Sequence, residues 1–366
     1  MFSRMTCGFA GIGWRVSLIA PERGQVPEMP PGAEFHPVRC VHGYLNRLRQ
    51  SGRVLPLLRK LKPDAVLFPD PDLMGAMLRF RREGRAAVVF DRHENFEQRW
   101  AVHRAANMAD AVLGRVYPAY ERYAVRRLDG VIVVFEEMRR AIPNGVPTCV
   151  AHNYPTRADL AALAAPPAPA TPRYTAVFVG TFARAYGHLQ LLELAHELVN
   201  ARGRREFTLF VAGQFDGGLA EEAQGFIAQH ALEQNVTLKP ERIPHEEVIA
   251  LVAASRIGIC PLSREAALKN SLHNKMLEFM AAGLPVIASD VRPGGRIISE
   301  CGCGKLFWAE DVQEIARTVE HWLDHPEEAK ALGARGQRLA LDKLVWESEL
   351  ALLAPWLEQQ IAKRAG

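Results

Sequence analysis

The 366-residue chain has no uncharged run long enough to cross a bilayer before a proline breaks it, which argues against a membrane-spanning helix of about 20 residues. Near the N-terminus, Trp14 and Arg15 interrupt the apolar stretch that a secretory leader requires, so none is expected. Six cysteines, at 7, 40, 149, 260, 301 and 303, follow neither zinc spacing nor a disulfide rhythm. Cys301 and Cys303 flank a single glycine and read as a turn. This cysteine usage fits a reducing cytoplasm. Zinc-finger, RNP and helix-turn-helix signatures are missing, which argues against a nucleic-acid partner. His93-Glu94 followed by Glu97 lacks the HExxH spacing of a zinc site.

What is present is a globular composition, 48% hydrophobic and 23% charged, in a chain long enough for two domains. The net charge of +4 conceals an asymmetry. Residues 1–160 hold 24 Lys and Arg against 16 Asp and Glu, whereas the remainder holds 21 against 25. A basic first half points to an anionic partner, either a membrane surface or a phosphorylated substrate. The segment "YLNRLRQSGRVLPLLRKLK" (44–62) alternates basic and apolar residues, which suits peripheral attachment to an anionic membrane surface. A core-facing helix with a solvated basic side fits it equally, and Pro56 interrupts the pattern.

Short β-branched runs alternate with helical patterns along the whole chain. Strands are predicted at 15–20, 64–69, 86–91, 130–135 and 148–153, then at 175–180, 207–213, 236–238, 257–262 and 285–290. Helices such as 188–202 and 244–254 separate them, giving βαβ units and parallel sheets. The stretch "ADLAALAAPPAPATP" (158–172) reads as a linker. The expected layout is a first Rossmann-like domain at 1–157, a second at 173–342, and a tail helix at 343–366 returning to the first. The fold class is α/β, two doubly wound domains facing a cleft.

The segment "NSLHNKMLEFMAAGLPVIASD" (270–290) carries two stripes at helical spacing. Leu272, Met276, Phe279 and Met280 form the apolar one; Ser271, Asn274 or Lys275, and Glu278 form the polar one. A helix starting at about 271, beyond the carboxyl end of strand 257–262, would offer backbone N–H groups and a positive dipole end to a diphosphate. Lys275 adds a cation, and Glu278 has the two acceptor oxygens that a ribose diol needs. The alternative is a local Lys–Glu pair on a wet face. "GFAGIG" (8–13) reads as a helix C-cap rather than a phosphate loop, since no strand precedes it.

This segment resembles the donor-binding stretch of GT-B glycosyltransferases of the GT4-like group (glycosyltransferase group 1). The resemblance continues in "VFVGTF" (177–182), "IPHEEVIALVAASRIGICPL" (243–262) and "GKLF" (304–307), and reaches the first half in 68–95 and 121–155. It implies a GT-B enzyme that moves a sugar from a nucleotide-sugar, UDP-sugars favoured, to a glycan or polyprenyl-linked acceptor in cell-surface polysaccharide synthesis. Retention of anomeric configuration and no metal or other cofactor are implied with it. By the same resemblance Glu278 meets the ribose hydroxyls, the Ser271 region and Lys275 meet the diphosphate, and Asn270, Asn274, Gly180 and Thr181 line the donor pocket. Arg184 substitutes for the phosphate cations, and the loop at Arg242 and Ile243 meets the base through its backbone.

The chain departs from the family pattern in four places. Asn270 replaces a glutamate, Thr181 and Tyr186 occupy the usual Arg and Lys positions, and Pro69 stands where a histidine is common. The start "FSRMTCGFAGIGWRVSLIA" looks like the family's first helix and second strand, so the opening strand is expected to be absent. His93, Glu94 and Asp70 fall at strand carboxyl ends of the first domain and are the candidates for acceptor positioning or proton transfer. Against that, His93 fits a strand cap held by backbone hydrogen bonds. The other readings are a degenerate, non-catalytic scaffold of this fold and a sugar-nucleotide epimerase.

Overall fold

The structure is a computed structural model that describes residues 2–21, 28–39, 51–93, 108–166, 172–264, 270–272 and 274–366. The chain divides into two compact units, Met1–Asn153 with Trp346–Gly366, and Tyr154–Val345.

In the first unit, β1 (Val16–Pro21) and β2 (Ala33–Val38) pair in parallel. A separate parallel sheet has the order β3 (Ala65–Phe68), β4 (Ala87–Arg92), β5 (Gly130–Val133) and β6 (Thr148–Val150). No ladder joins the two sheets among the described residues. Both β4 and β5 are buried along their whole length, as uninterrupted apolar runs such as "AVVF" and "GVIV" require when both faces of a sheet are covered.

One face of that sheet is covered by two helices from opposite ends of the chain. Met5 and Phe9 of Phe2–Gly11 pack with Trp346, Leu350, Leu353 and Leu357 of Trp346–Ala365, over Val89 and Ile132. The first of these helices stops as its sequence predicts. Gly13 takes φ of 90°, Trp14 N donates to Phe9 O at 3.0 Å, and Gly13 N donates to Ala10 O at 3.0 Å. This is a Schellman closure, and its usual hydrophobic clasp is the Phe9–Trp14 ring contact at 4.9 Å.

The second unit is a six-stranded parallel sheet. In chain order its strands are β7 (Tyr174–Val179), β8 (Leu209–Ala212), β9 (Val236–Lys239), β10 (Ser255–Cys260), β12 (Val286–Ala288) and β14 (Gly304–Leu306), and in space β14-β12-β10-β7-β8-β9. Two short strands, β11 (Asn270–Ser271) and β13 (Arg292–Pro293), pair separately. Alternate residues of each long strand feed two different cores. Val177, Val179, Phe210 and Val286 face one side with the helices Arg157–Ala164, His245–Ala253 and Asn274–Ala281. Ala176, Phe178, Val211, Ile257 and Ile287 face the other with Gln190–His196, Leu219–Gln229 and Val312–Asp324. This is the doubly wound arrangement, covered on both faces.

Two expectations are corrected here. The stretch 158–172 is not a linker throughout, because it opens inside the helix Arg157–Ala164. Thr156 Oγ1 accepts from Asp159 N at 3.1 Å and Asp159 Oδ2 accepts from Thr156 N at 3.1 Å, a reciprocal capping box that starts the helix. Leu160 and Leu163 then bury it in the second unit. The helix expected from about 271 begins at Asn274, because residues 270–271 extend as β11 against β13.

Gly258 on β10 packs directly against a buried aromatic ring. A Cβ there would lie 2.3 Å from Phe279 Cγ, inside the van der Waals envelope of a buried ring. Gly258→Ala is therefore expected to destabilise the protein by about 1–3 kcal/mol through overpacking. Urea unfolding of the variant should show a lower midpoint at unchanged slope.

Candidate functional site

The strand order of the second unit reverses between β7 and β10. The chain runs outward from β7 to β8 and β9 on one side, then returns to build β10, β12 and β14 on the other. The carboxyl ends of β7 and β10 thus flank the point of reversal, the edge at which open parallel sheets bind ligands.

The sequence builds that edge rigidly. Gly180 N continues the ladder to Ala212 O at 2.9 Å, and Thr181 stands exposed just beyond. His188 is buried, and its Nδ1 accepts from Ala183 N at 3.0 Å, an assignment that places the ring proton on Nε2. Ser263 N donates to Tyr186 O at 2.8 Å, so the loops after β7 and β10 are tied together. Ser289 Oγ accepts from Leu262 N at 2.7 Å and lies 2.8 Å from Phe307 O, joining the ends of β10, β12 and β14. Ser263 Oγ donates to Glu310 Oε1 at 2.5 Å, and Arg264 pairs with Asp311 at 2.7 Å.

Each donor-side candidate has a definite place in this unit. Lys275 Nζ lies 2.8 Å from Glu278 Oε2, with Glu278 largely buried and Lys275 half-buried, so the polar stripe holds a local ion pair. Asn274 opens the helix and is half-buried. Asn270 and Ser271 lie in β11, and their side chains fall outside the described residues. Arg184 is exposed and pairs with Glu222 of Leu219–Gln229. Arg242 is exposed, whereas Ile243 is buried in the core, which leaves only its backbone for a ligand. The structure thus gathers Gly180, Thr181 and Arg184 on the loop after β7.

In the first unit, β3 and β4 are neighbours in register, Phe68 opposite Phe90, so Asp70 and His93 follow adjacent strand ends. Asp70 is exposed before the turn Pro71–Leu73, and Asp72 is buried. Asp70 and Asp72 have the form of a two-carboxylate triplet, yet one faces solvent and the other the interior. His93 Nδ1 lies 3.2 Å from Asp91 O and His93 N donates to the same oxygen at 3.1 Å, so His93 does cap the strand end. Glu94 lies outside the described residues, as do residues 44–50 of the basic segment. Among the described residues no group of three His, Cys, Asp or Glu side chains is placed to hold a metal, and no helix is long and apolar enough to cross a membrane.

Sequence reasoning overlooked the charges that end β4. Asp91 is 2% exposed, and burial pushes its carboxyl up to about 6, against a smaller downward pull from His93. Arg92, also 2% exposed, places Nε 2.5 Å from Glu121 Oε1. The signal was available: two charges directly abut the run "AVVF", where a strand end should reach water.

Comparison with known proteins accounts for this architecture. Residues 163–339 match the family profile described as glycosyl transferases group 1, and residues 1–148 match the glycosyl transferase 4-like domain. The MMP alpha-(1->4)-mannosyltransferase of Mycolicibacterium hassiacum is 30% identical over 121 residues, 33% of this chain and 28% of that protein. The chain spans 60% of a second curated relative, so it covers only part of the length of both. Among solved structures, the sucrose-phosphate synthase of Thermosynechococcus elongatus superposes with a TM-score of 0.74 at 18% identity, over 98% of this chain and 92% of that one. The E. coli trehalose-6-phosphate structure bound with UDP-2-fluoro glucose superposes with a TM-score of 0.67 at 11% identity, over 99% and 94%. Two family profiles in succession, on paired parallel-sheet units of the GT-B fold, show that the chain belongs to the GT4-like group 1 glycosyltransferases.

Proposed function

We infer that the protein transfers a sugar from a nucleotide-sugar, a UDP-sugar in preference, to a glycan or lipid-linked acceptor in cell-surface polysaccharide synthesis. The observation that carries this reading is the strand-order reversal at β7/β10, in the same unit that holds the Lys275–Glu278 pair. A similar fold that holds UDP-2-fluoro glucose supports the choice of donor.

In this reading Glu278 accepts the ribose hydroxyls. Lys275, already anchored on it, turns its remaining N–H donors to the diphosphate. Arg184 joins them by leaving Glu222, an exposed pair that contributes little and costs little to break. Protein cations and backbone N–H groups offset the charge that grows on the departing nucleotide diphosphate, so no metal is needed. The bond from the anomeric carbon to the diphosphate oxygen breaks. The acceptor oxygen bonds to that carbon on the same face and passes its proton to the departing phosphate, which retains the configuration. On the first unit, His93 Nε2 and Asp70 orient the acceptor hydroxyl. The enzyme works in the cytoplasm, at the inner face of the membrane.

Calorimetric titration with UDP, GDP and ADP, with and without magnesium, tests the donor site. UDP is expected to bind saturably and equally in both conditions. Glu278→Ala should weaken that binding by roughly tenfold to a hundredfold, as for a lost hydrogen bond to a charged group. Unchanged affinity in the variant would remove Glu278 from the site.

The carboxyl of Asp91 gives a second test. A carboxyl held at about 6 in the native state, above its ordinary 3.8, favours the neutral form of the folded protein. Its contribution to stability is therefore full below about pH 4 and lost as pH rises through about 6. Asp91→Asn should match the parent near pH 4 and exceed it by about 3 kcal/mol at pH 7. Guanidinium unfolding at both pH values would show this, and a gap independent of pH would refute it.

A further inference from the structure

A cavity of about 460 Å³ opens in the first unit, lined among others by Arg92, Glu121, Arg122, Arg126 and Arg140. Its position follows from the sheet. Arg92 ends β4, and Arg140 follows the helix Glu136–Arg139 that leaves β5, the neighbouring strand. Arg122 and Arg126, one turn apart, come from the end of the helix Met108–Val125.

The charges in this cavity do not balance. Arg92 is neutralised by Glu121 at 2.5 Å, and both are buried. That leaves three guanidinium groups, on Arg122, Arg126 and Arg140, which are exposed and make no hydrogen bond or ion pair among the described residues. Like charges gathered around one hollow repel one another unless an anion lies between them. Glu121 adds a complementary demand. Its Oε2 is buried without a hydrogen-bond partner among the described residues, and a buried carboxylate oxygen needs an N–H or O–H donor.

A ligand that satisfies both demands carries a phosphate or diphosphate for the guanidinium forks and a hydroxyl for Glu121. The volume lies within the ordinary range of small-molecule sites. We propose that this cavity binds the phosphate-bearing end of the acceptor, so that the acceptor is a sugar phosphate or glycosyl diphosphate and not a neutral glycan. The term acceptor rests on the transferase reading above; the anion site stands without it. The phosphate could come from a soluble sugar phosphate or from a lipid-linked diphosphate, and the same arginines would hold either.

The test uses the full chain with UDP saturating, so that the proposed donor site is occupied. Inorganic pyrophosphate and glucose 1-phosphate are titrated into the parent, into Arg122→Gln, Arg126→Gln and Arg140→Gln, and into Arg82→Gln. The last is an exposed arginine of the same unit outside the cavity. Both probes should bind the parent, each cavity variant should weaken binding roughly tenfold, and Arg82→Gln should not. No binding to the parent, or equal weakening by Arg82→Gln, would overturn the proposal. Co-sedimentation with phosphatidylcholine vesicles, plain or doped with a polyprenyl diphosphate, separates the sources. Recruitment by doped vesicles alone, lost in Arg140→Gln, supports the lipid-linked source; glucose 1-phosphate binding without recruitment supports the soluble one. If UDP alone fails to bind while pyrophosphate still depends on the arginines, the transferase reading falls and the anion site stands. The reverse result removes the anion site and leaves the transferase.

Discussion

The pairing of β7 with both β8 and β10 is the constraint on which the second unit depends. One strand at the centre of a parallel ladder divides the chain path into two wings, β8 and β9 on one side and β10, β12 and β14 on the other. Burial on both faces then fixes the register, since shifting any strand by one residue would exchange the two cores. Ser289 and the Ser263–Tyr186 bond matter because they hold this edge where water would otherwise compete for the backbone. These contacts hold the edge in one arrangement.

The first unit uses a different device. Its strand β4 ends in buried charge, where an apolar residue would be more stable. Replacing a buried ion pair by well-packed hydrophobic residues is often neutral or stabilising, so Arg92 and Glu121 are an expense to the fold. With Asp91 beside them, the end of one strand and the helix that meets it gather three ionisable groups, all nearly excluded from solvent. Concentrated cost of this kind belongs at sites where local stability has been exchanged for chemistry. The surplus of basic residues in the first half of the sequence meets this point in Arg122, Arg126 and Arg140.

Much of the architecture was legible in the chain itself. All ten apolar runs became strands, most plainly β4, β5, β7 and β8, because a parallel strand covered on both faces must be uniformly apolar. Gly13 declared its helix stop through positive φ. β2 escaped because Pro37 and two polar residues break its pattern, as a two-stranded ribbon tolerates. The helix Arg157–Ala164 escaped because a run of alanines beside prolines looks like a tether until Thr156 and Asp159 are read as a cap. The site was harder to read. Periodicity placed Lys275 and Glu278 on one helix face, but whether they face each other or a ligand is set by packing. Arg92 and Glu121 meet from 29 residues apart, which no local pattern records.

The two units also differ in how the chain completes them. All the strands and both cores of the second unit fall within one continuous segment, Tyr154–Val345. The first unit needs Trp346, Leu350 and Leu353 to cover Val89 and Ile132, although those strands precede them by more than two hundred residues. During synthesis the second unit therefore holds everything it needs before the first does. The early half of the polypeptide must wait, with one sheet face covered only by Phe2–Gly11, for the helix Trp346–Ala365 to emerge, and that interval is when it is most exposed to misassociation.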